Sequence, residues 1–94
     1  METRVAVISI ILENSNSVEE VNKLISDYSD YVVGRMGIPY KKRGISIISV
    51  VMDAPQDVIS SFSGKLGKLD AVSAKTAYSK YVFNEWFSKE AVSG

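Results

Sequence analysis

Ninety-four residues, 46% of them hydrophobic, set the scale at one domain with a single modest core. Eleven basic and eleven acidic residues cancel, so the chain lacks the electrostatic footprint of a nucleic-acid binder. It has no Cys and no His, which excludes disulfides, a thiolate nucleophile and an imidazole base, and removes the thiolate and imidazole ligands on which tight transition-metal binding is expected to depend.

In chain order, Met1-Glu2-Thr3-Arg4 does not read as the basic start of a separate apolar leader, and no apolar run approaches the ~20 residues of a membrane span. A cytoplasmic protein with no membrane contact is expected. Residues 5–12 read as a first strand, apolar on both faces, with Ala6, Ile8, Ile10 and Leu12 on one and Val5, Val7 and Ile11 on the other. After a loop, Ser17 with Glu20 forms a capping-box pattern. Val18, Val21, Leu24, Ile25 and Tyr28 then recur at helical spacing, to a stop near Ser29. Residues 31–38 read as a second strand, weakened by Gly34 and Gly37 and closed by Pro39. A turn carrying Lys41-Lys42-Arg43 leads to the longest β-branched run, residues 44–53, again apolar on both faces. Asp53, Pro55 and Gln56 suggest a capped helix start, Val58, Ile59, Phe62 and Leu66 its buried stripe, and Gly67 its stop. Residues 72–79 make a weaker fourth strand. Val82, Phe83, Trp86 and Phe87 predict a short C-terminal helix, so that 1–80 form the domain and 81–94 a helical extension.

The chain repeats itself. Val7-Ile8-Ser9-Ile10-Ile11-Leu12-Glu13 matches Ile47-Ile48-Ser49-Val50-Val51-Met52-Asp53 in chemical type, and each copy is followed by a helix and a strand. Two such halves give an α+β, ferredoxin-like βαββαβ sandwich: a four-stranded antiparallel sheet, the first and third strands central, with two helices on one face. The other face then carries Val5, Val7, Ile11, Ile45, Ile47 and Val51, too apolar to stay wet. A homodimer or dimer of dimers is expected to cover it, the competing cover being the C-terminal helix folded back.

Four segments carry a resemblance. Gly34-Arg35-Met36-Gly37-Ile38-Pro39-Tyr40, Ile45-Ser46-Ile47-Ile48-Ser49-Val50-Val51, Ser61-Phe62-Ser63-Gly64-Lys65-Leu66-Gly67 and Val72-Ser73-Ala74-Lys75-Thr76 are similar to the iron-only hydrogenase system regulators, short ACT-like proteins. The resemblance spans about residues 4–80. It implies the fold already read from the repeat, a regulatory role, and effectors bound where subunits meet. The fold also resembles the C-terminal half of nickel-responsive repressors, whose metal sites use His and Cys, which this chain lacks.

Candidate effector-binding residues are Gly34, Arg35, Met36, Gly37 and Pro39, with Ser63, Gly64 and Lys65. A strand end rich in glycine admits a ligand against its backbone, and Arg35 suits a carboxylate or phosphate. The alternative there is a strand-end bulge with Arg35 paired to an acidic neighbour. Ser63-Gly64-Lys65 is not a phosphate-loop pattern and falls late in a helix. Its alternative is that Gly64 permits close backbone approach and Gly67 ends the helix. Glu13 and Asp53 occupy equivalent positions in the repeat and suggest either a carboxylate pair or a loop residue and a helix cap. Acylphosphatases share this topology, but Glu13-Asn14-Ser15-Asn16 is no phosphate cradle, so no catalytic residue and no cofactor are expected. The expected function is a small sensory module that binds a small anionic effector or a protein partner. The alternative is a non-catalytic assembly protein without a small-molecule ligand.

Overall fold

The β-branched runs form the two central strands of one sheet in the computed structural model, which describes residues 2–84. In chain order the elements are β1 (Glu2–Leu12), α1 (Val18–Asp27), β2 (Val32–Tyr40), β3 (Ile45–Ala54), α2 (Gln56–Gly67), β4 (Val72–Tyr78) and a two-residue β5 (Phe83–Asn84). The sheet order is β2-β3-β1-β4, antiparallel throughout, with β5 pairing β1. This is the ferredoxin-like arrangement expected from the repeat.

Strand periodicity places the core. Ala6, Ile8, Ile10 and Leu12 of β1 and Ile48, Val50, Met52 and Ala54 of β3 are buried on one face, under Val21, Leu24 and Ile25 of α1 and Ile59, Phe62 and Leu66 of α2. Burying each large side chain is worth roughly 1.5–3 kcal/mol, which makes this layer the main source of stability. The Phe62 ring meets Tyr28 edge-on at 5.1 Å.

Both helix starts differ from expectation. The Ser17 hydroxyl makes no cap; it is buried and donates to the Asp70 carbonyl at 2.7 Å. A long-range tie outcompetes the local one, and Glu19 and Glu20 place negative charge at the helix start instead. Asp53 is no cap either, because the β1–β3 ladder continues through Val5↔Asp53 to Arg4↔Ala54. Pro55 takes the N-cap position, and the Gln56 side chain turns to Arg4, Ser60 and Tyr78 rather than to the helix end.

Gly67 is the last helical residue rather than a left-handed stop; the positive φ falls at Ala71 (57°). The expected C-terminal helix is not found where it can be seen. Phe83 pairs with Thr3 in β5, because β1 begins at Glu2 and offers ladder positions to the chain returning from β4. Trp86 and Phe87 lie outside the described residues.

Candidate functional site

Antiparallel pairing decides which side chains share a surface. On the face away from the helices the register aligns three rows across the sheet: Gly34–Val51–Val7–Ala77, Met36–Ser49–Ser9–Lys75 and Ile38–Ile47–Ile11–Ser73. Tyr40 and Ile45 continue the pattern at one end, Val5 and Asp53 at the other. Val7, Ile11, Met36, Ile38 and Tyr40 are 37–61% exposed, a contiguous apolar surface on a single chain. Val5, Val7, Ile11, Ile45, Ile47 and Val51 therefore share one face, as expected. Ile38 and Tyr40 belong with them. Their signal was the alternation Gly34, Met36, Ile38, Tyr40 along an edge strand, hidden by a bulge between Val32 and Gly34 that resets the register.

The effector candidates do not form one site. Gly34 and Met36 face the open side. Arg35 takes the helix side, where its Nη2 donates to Asn22 Oδ1 of α1 at 2.8 Å, a neutral partner in place of an acidic one. Gly37 and Pro39 follow Arg35 along the exposed strand. On α2, the Ser63 hydroxyl pairs with Thr76 of β4 at 3.1 Å, and Lys65 points to α1. Gly64 is exposed with nothing within 4 Å of the place a Cβ would occupy, so among the described residues no backbone outside its own helix approaches it. Asn22 within α1 and Tyr28 at its C-cap, the contacts of Arg35 and Lys65, are six residues apart in the chain, so the two side chains are held against different partners.

Lys65 takes part in a cluster that the sequence did not announce. Its ammonium sits 5.2 Å from the centroid of the Tyr28 ring, and the Tyr28 hydroxyl hydrogen-bonds Ser61 at 2.8 Å. The Tyr28 pKa is held below its usual value, first by the Ser61 hydrogen bond and then by Lys65, against the opposing effects of desolvation and Asp27. Beside it lies an open groove of about 200 Å³ between the helices, lined by Glu20, Lys23, Leu24, Asp27, Lys65 and Leu69. Tyr28 reads in the sequence as one more member of an apolar stripe, which is why its hydroxyl was missed. A second polar cluster joins Arg4 to Gln56 (3.1 Å), the Ser79 carbonyl (3.1 Å) and the Tyr78 ring (4.8 Å).

Antiparallel pairing also rules out the carboxylate pair. Asp53 stands opposite Val5, whereas Glu13 follows Leu12 at the other end of the same ladder. Eight residues of strand, about 27 Å, separate them. Among the described residues no group of three or more acidic side chains could hold a metal ion, and no helix is long and apolar enough to cross a membrane.

Known proteins place this geometry. Residues 4–76 match the TM1266-like family, described as "Iron-only hydrogenase system regulator, putative". The structure of the uncharacterized protein TM1266 from Thermotoga maritima is similar with a TM-score of 0.80 and 30% identity, over 83% of this chain and 99% of that one. A formyltetrahydrofolate deformylase from Pseudomonas putida KT2440 gives 0.65 at 12% identity; 82% of this chain is covered, but only 29% of the deformylase. The apo form of CPII, a nitrogen regulatory PII-like protein from Thiomonas intermedia K12, gives 0.57 at 10% identity over 89% and 98% of the two chains. The last two share the fold alone. No curated protein matches the sequence. With the family pattern running through all four strands of the main sheet and TM1266 aligned over nearly its whole length, the chain belongs to the TM1266-like family of iron-only hydrogenase system regulators.

Proposed function

We propose that this protein is a non-catalytic regulatory module of an iron-only hydrogenase system, working in the cytoplasm as a homodimer or dimer of dimers that binds a small effector or a protein partner. The family description supplies the system. The observation that carries the molecular part is the open sheet face, whose apolar rows favour association. The chain offers no DNA-reading element among its described residues, so any effect on transcription runs through another protein.

An anionic effector is the first form of the reading, held at a subunit junction beside Gly34, Arg35, Met36, Gly37 and Pro39, or at Ser63, Gly64 and Lys65. The second form, an assembly protein without a small-molecule ligand, is favoured by the groove. At about 200 Å³ it is smaller than the roughly 300–1,000 Å³ of ordinary ligand sites.

Thermal denaturation of the full chain against a panel of anionic metabolites tests the pair. Saturable stabilisation by one metabolite supports the sensor, and Arg35→Ala is then expected to abolish it while the unliganded melting temperature holds. Lys65→Ala is expected to weaken it less, since an ammonium is a point charge rather than a fork. An effect from Lys65→Ala alone moves the site to the groove between the helices. No stabilising metabolite, together with a defined protein bound stoichiometrically, establishes the assembly reading.

A further inference from the structure

The open face has a thick side and a thin side, and this fixes how a second copy fits. Repeat and register together place Ser9 directly opposite Ser49, with Val7 and Val51 on one side of that pair and Ile11 and Ile47 on the other. The middle of the face is thus nearly two-fold symmetric about the serine pair, and it accepts a copy of itself in either of two orientations. The outer strands break the tie. Outward residues of β2 are Gly34 and then the bulky Met36, Ile38 and Tyr40, whereas those of β4 are the small Ser73 and Ala77 and the charged Lys75.

The area suffices. With β1 and β3 paired over nine residues, β2 over eight and β4 over seven, strands about 4.8 Å apart rising about 3.4 Å per residue give roughly 540 Å² per copy. Two copies bury roughly 1,100 Å², just above the ~1,000 Å² of a specific interface. A net charge of zero leaves two copies without long-range repulsion. Edge-to-edge extension along β2 is disfavoured by its bulge and by Pro39, which has no N–H to donate.

Two sheets pack at a near-constant spacing of about 10 Å and fill the space between them. A thick edge must then lie on a thin one. Laying β2 on the partner's β2 would put Met36 on the partner's Met36 and Ile38 on the partner's Gly34, leave only Ser73 and Ala77 facing each other over β4, and set Lys75 against the partner's Lys75. We infer that two copies of this chain pack these faces about a two-fold axis parallel to the strands, so that β2 of each covers β4 of the other and Met36 lies over the partner's Lys75. The methylene stem of that lysine then packs on the thioether while its ammonium reaches the rim. Ser9 lies over the partner's Ser49, so four hydroxyls, each both donor and acceptor, gather around the axis. This inference rests on the oligomeric reading proposed above.

The chain has no cysteine, so introduced thiols are unique. Met36→Cys and Lys75→Cys, both at exposed positions, are prepared separately and treated with a bismaleimide of about 10 Å span, matched to the sheet spacing. Each is tested alone and after the two are unfolded together and refolded as a mixture, with light scattering in parallel. Covalent dimer in the mixture and none in either variant alone is the expected result. Covalent dimer from either variant alone overturns the orientation while leaving sheet pairing intact. A dimer by scattering that never crosslinks places the interface elsewhere and overturns the inference. A monomer overturns both the inference and the oligomeric reading, and a monomer that associates once residues 85–94 are removed assigns the cover to that segment.

Discussion

At Ala71 the backbone sits at φ 57°, a left-handed conformation that costs a residue with a Cβ about 1–2 kcal/mol. The turn is held there because the Ala71 carbonyl accepts from Glu13 N at 2.9 Å and the Asp70 carbonyl from Ser17 Oγ at 2.7 Å. Glycine relieves the strain but loses more entropy on folding, about 0.5–1 kcal/mol. Ala71→Gly is therefore expected to stabilise the fold by about 0.5–1 kcal/mol, read as a higher urea midpoint at constant slope. Ser17→Ala is expected to cost about 1–3 kcal/mol, since it orphans the Asp70 carbonyl at a buried tie. Neither position was legible in the sequence: an alanine does not announce a positive φ, and Ser17 looks like an ordinary cap until Asp70 is brought to it. Tyr28 gives a pH-dependent test. Its pKa is lowered in the folded chain, so folding favours the phenolate. The resulting increment of stability is full above the ordinary value of 10.0 and is lost as pH falls through the lowered one. Tyrosine absorbance titrated against Tyr28→Phe should show the low-pKa phenol, with Ser61→Ala and Lys65→Ala each moving it back toward 10.0.

Elements were legible where their physics is local and periodic. Two β-branched runs, two helical stripes and a repeat were enough for strand order and for the buried face, because alternation along a strand states which side chains go inward. Ends were not legible, because they depend on distant partners: Asp53 stays in β3 through its pairing with β1, and Phe83 becomes β5 through Thr3. The candidate site fared worse for the same reason. Arg35 and Lys65 sit on sequence motifs but against different partners, and only the register joins Met36 to Ser49, Ser9 and Lys75. Within α2, Gly64 occupies an interior position with open space where a Cβ would go. Gly64→Ala is expected to stabilise the protein by about 1 kcal/mol through helix propensity, measured by thermal or urea unfolding. If the same variant weakens effector or partner binding, the glycine is kept for that contact rather than for the fold.

For the whole molecule the decisive quantity is what happens to the face of the sheet that the two helices leave open. Two helices cover one side only, and Ile47 lies near the middle of the other, flanked by Ile11 and Ile38 in adjacent strands. In an isolated chain a lysine at position 47 keeps its stem on the sheet and its ammonium in water, so Ile47→Lys should fold with little loss. In a face-to-face pair the same ammonium is buried without a partner, at a cost of several kcal/mol and twice per dimer. The expected outcome is a folded monomer of about 10.3 kDa by light scattering, with unchanged far-ultraviolet circular dichroism. Its melting temperature should no longer depend on protein concentration, whereas that of the native chain should rise with it. Ser26→Lys, on the exposed face of α1, adds the same charge away from the sheet and should leave the oligomer whole. If the native chain is itself a 10.3 kDa monomer at micromolar concentration, sheet pairing fails. If Ile47→Lys remains an oligomer, the chains meet through another surface, and the apolar rows need a different occupant.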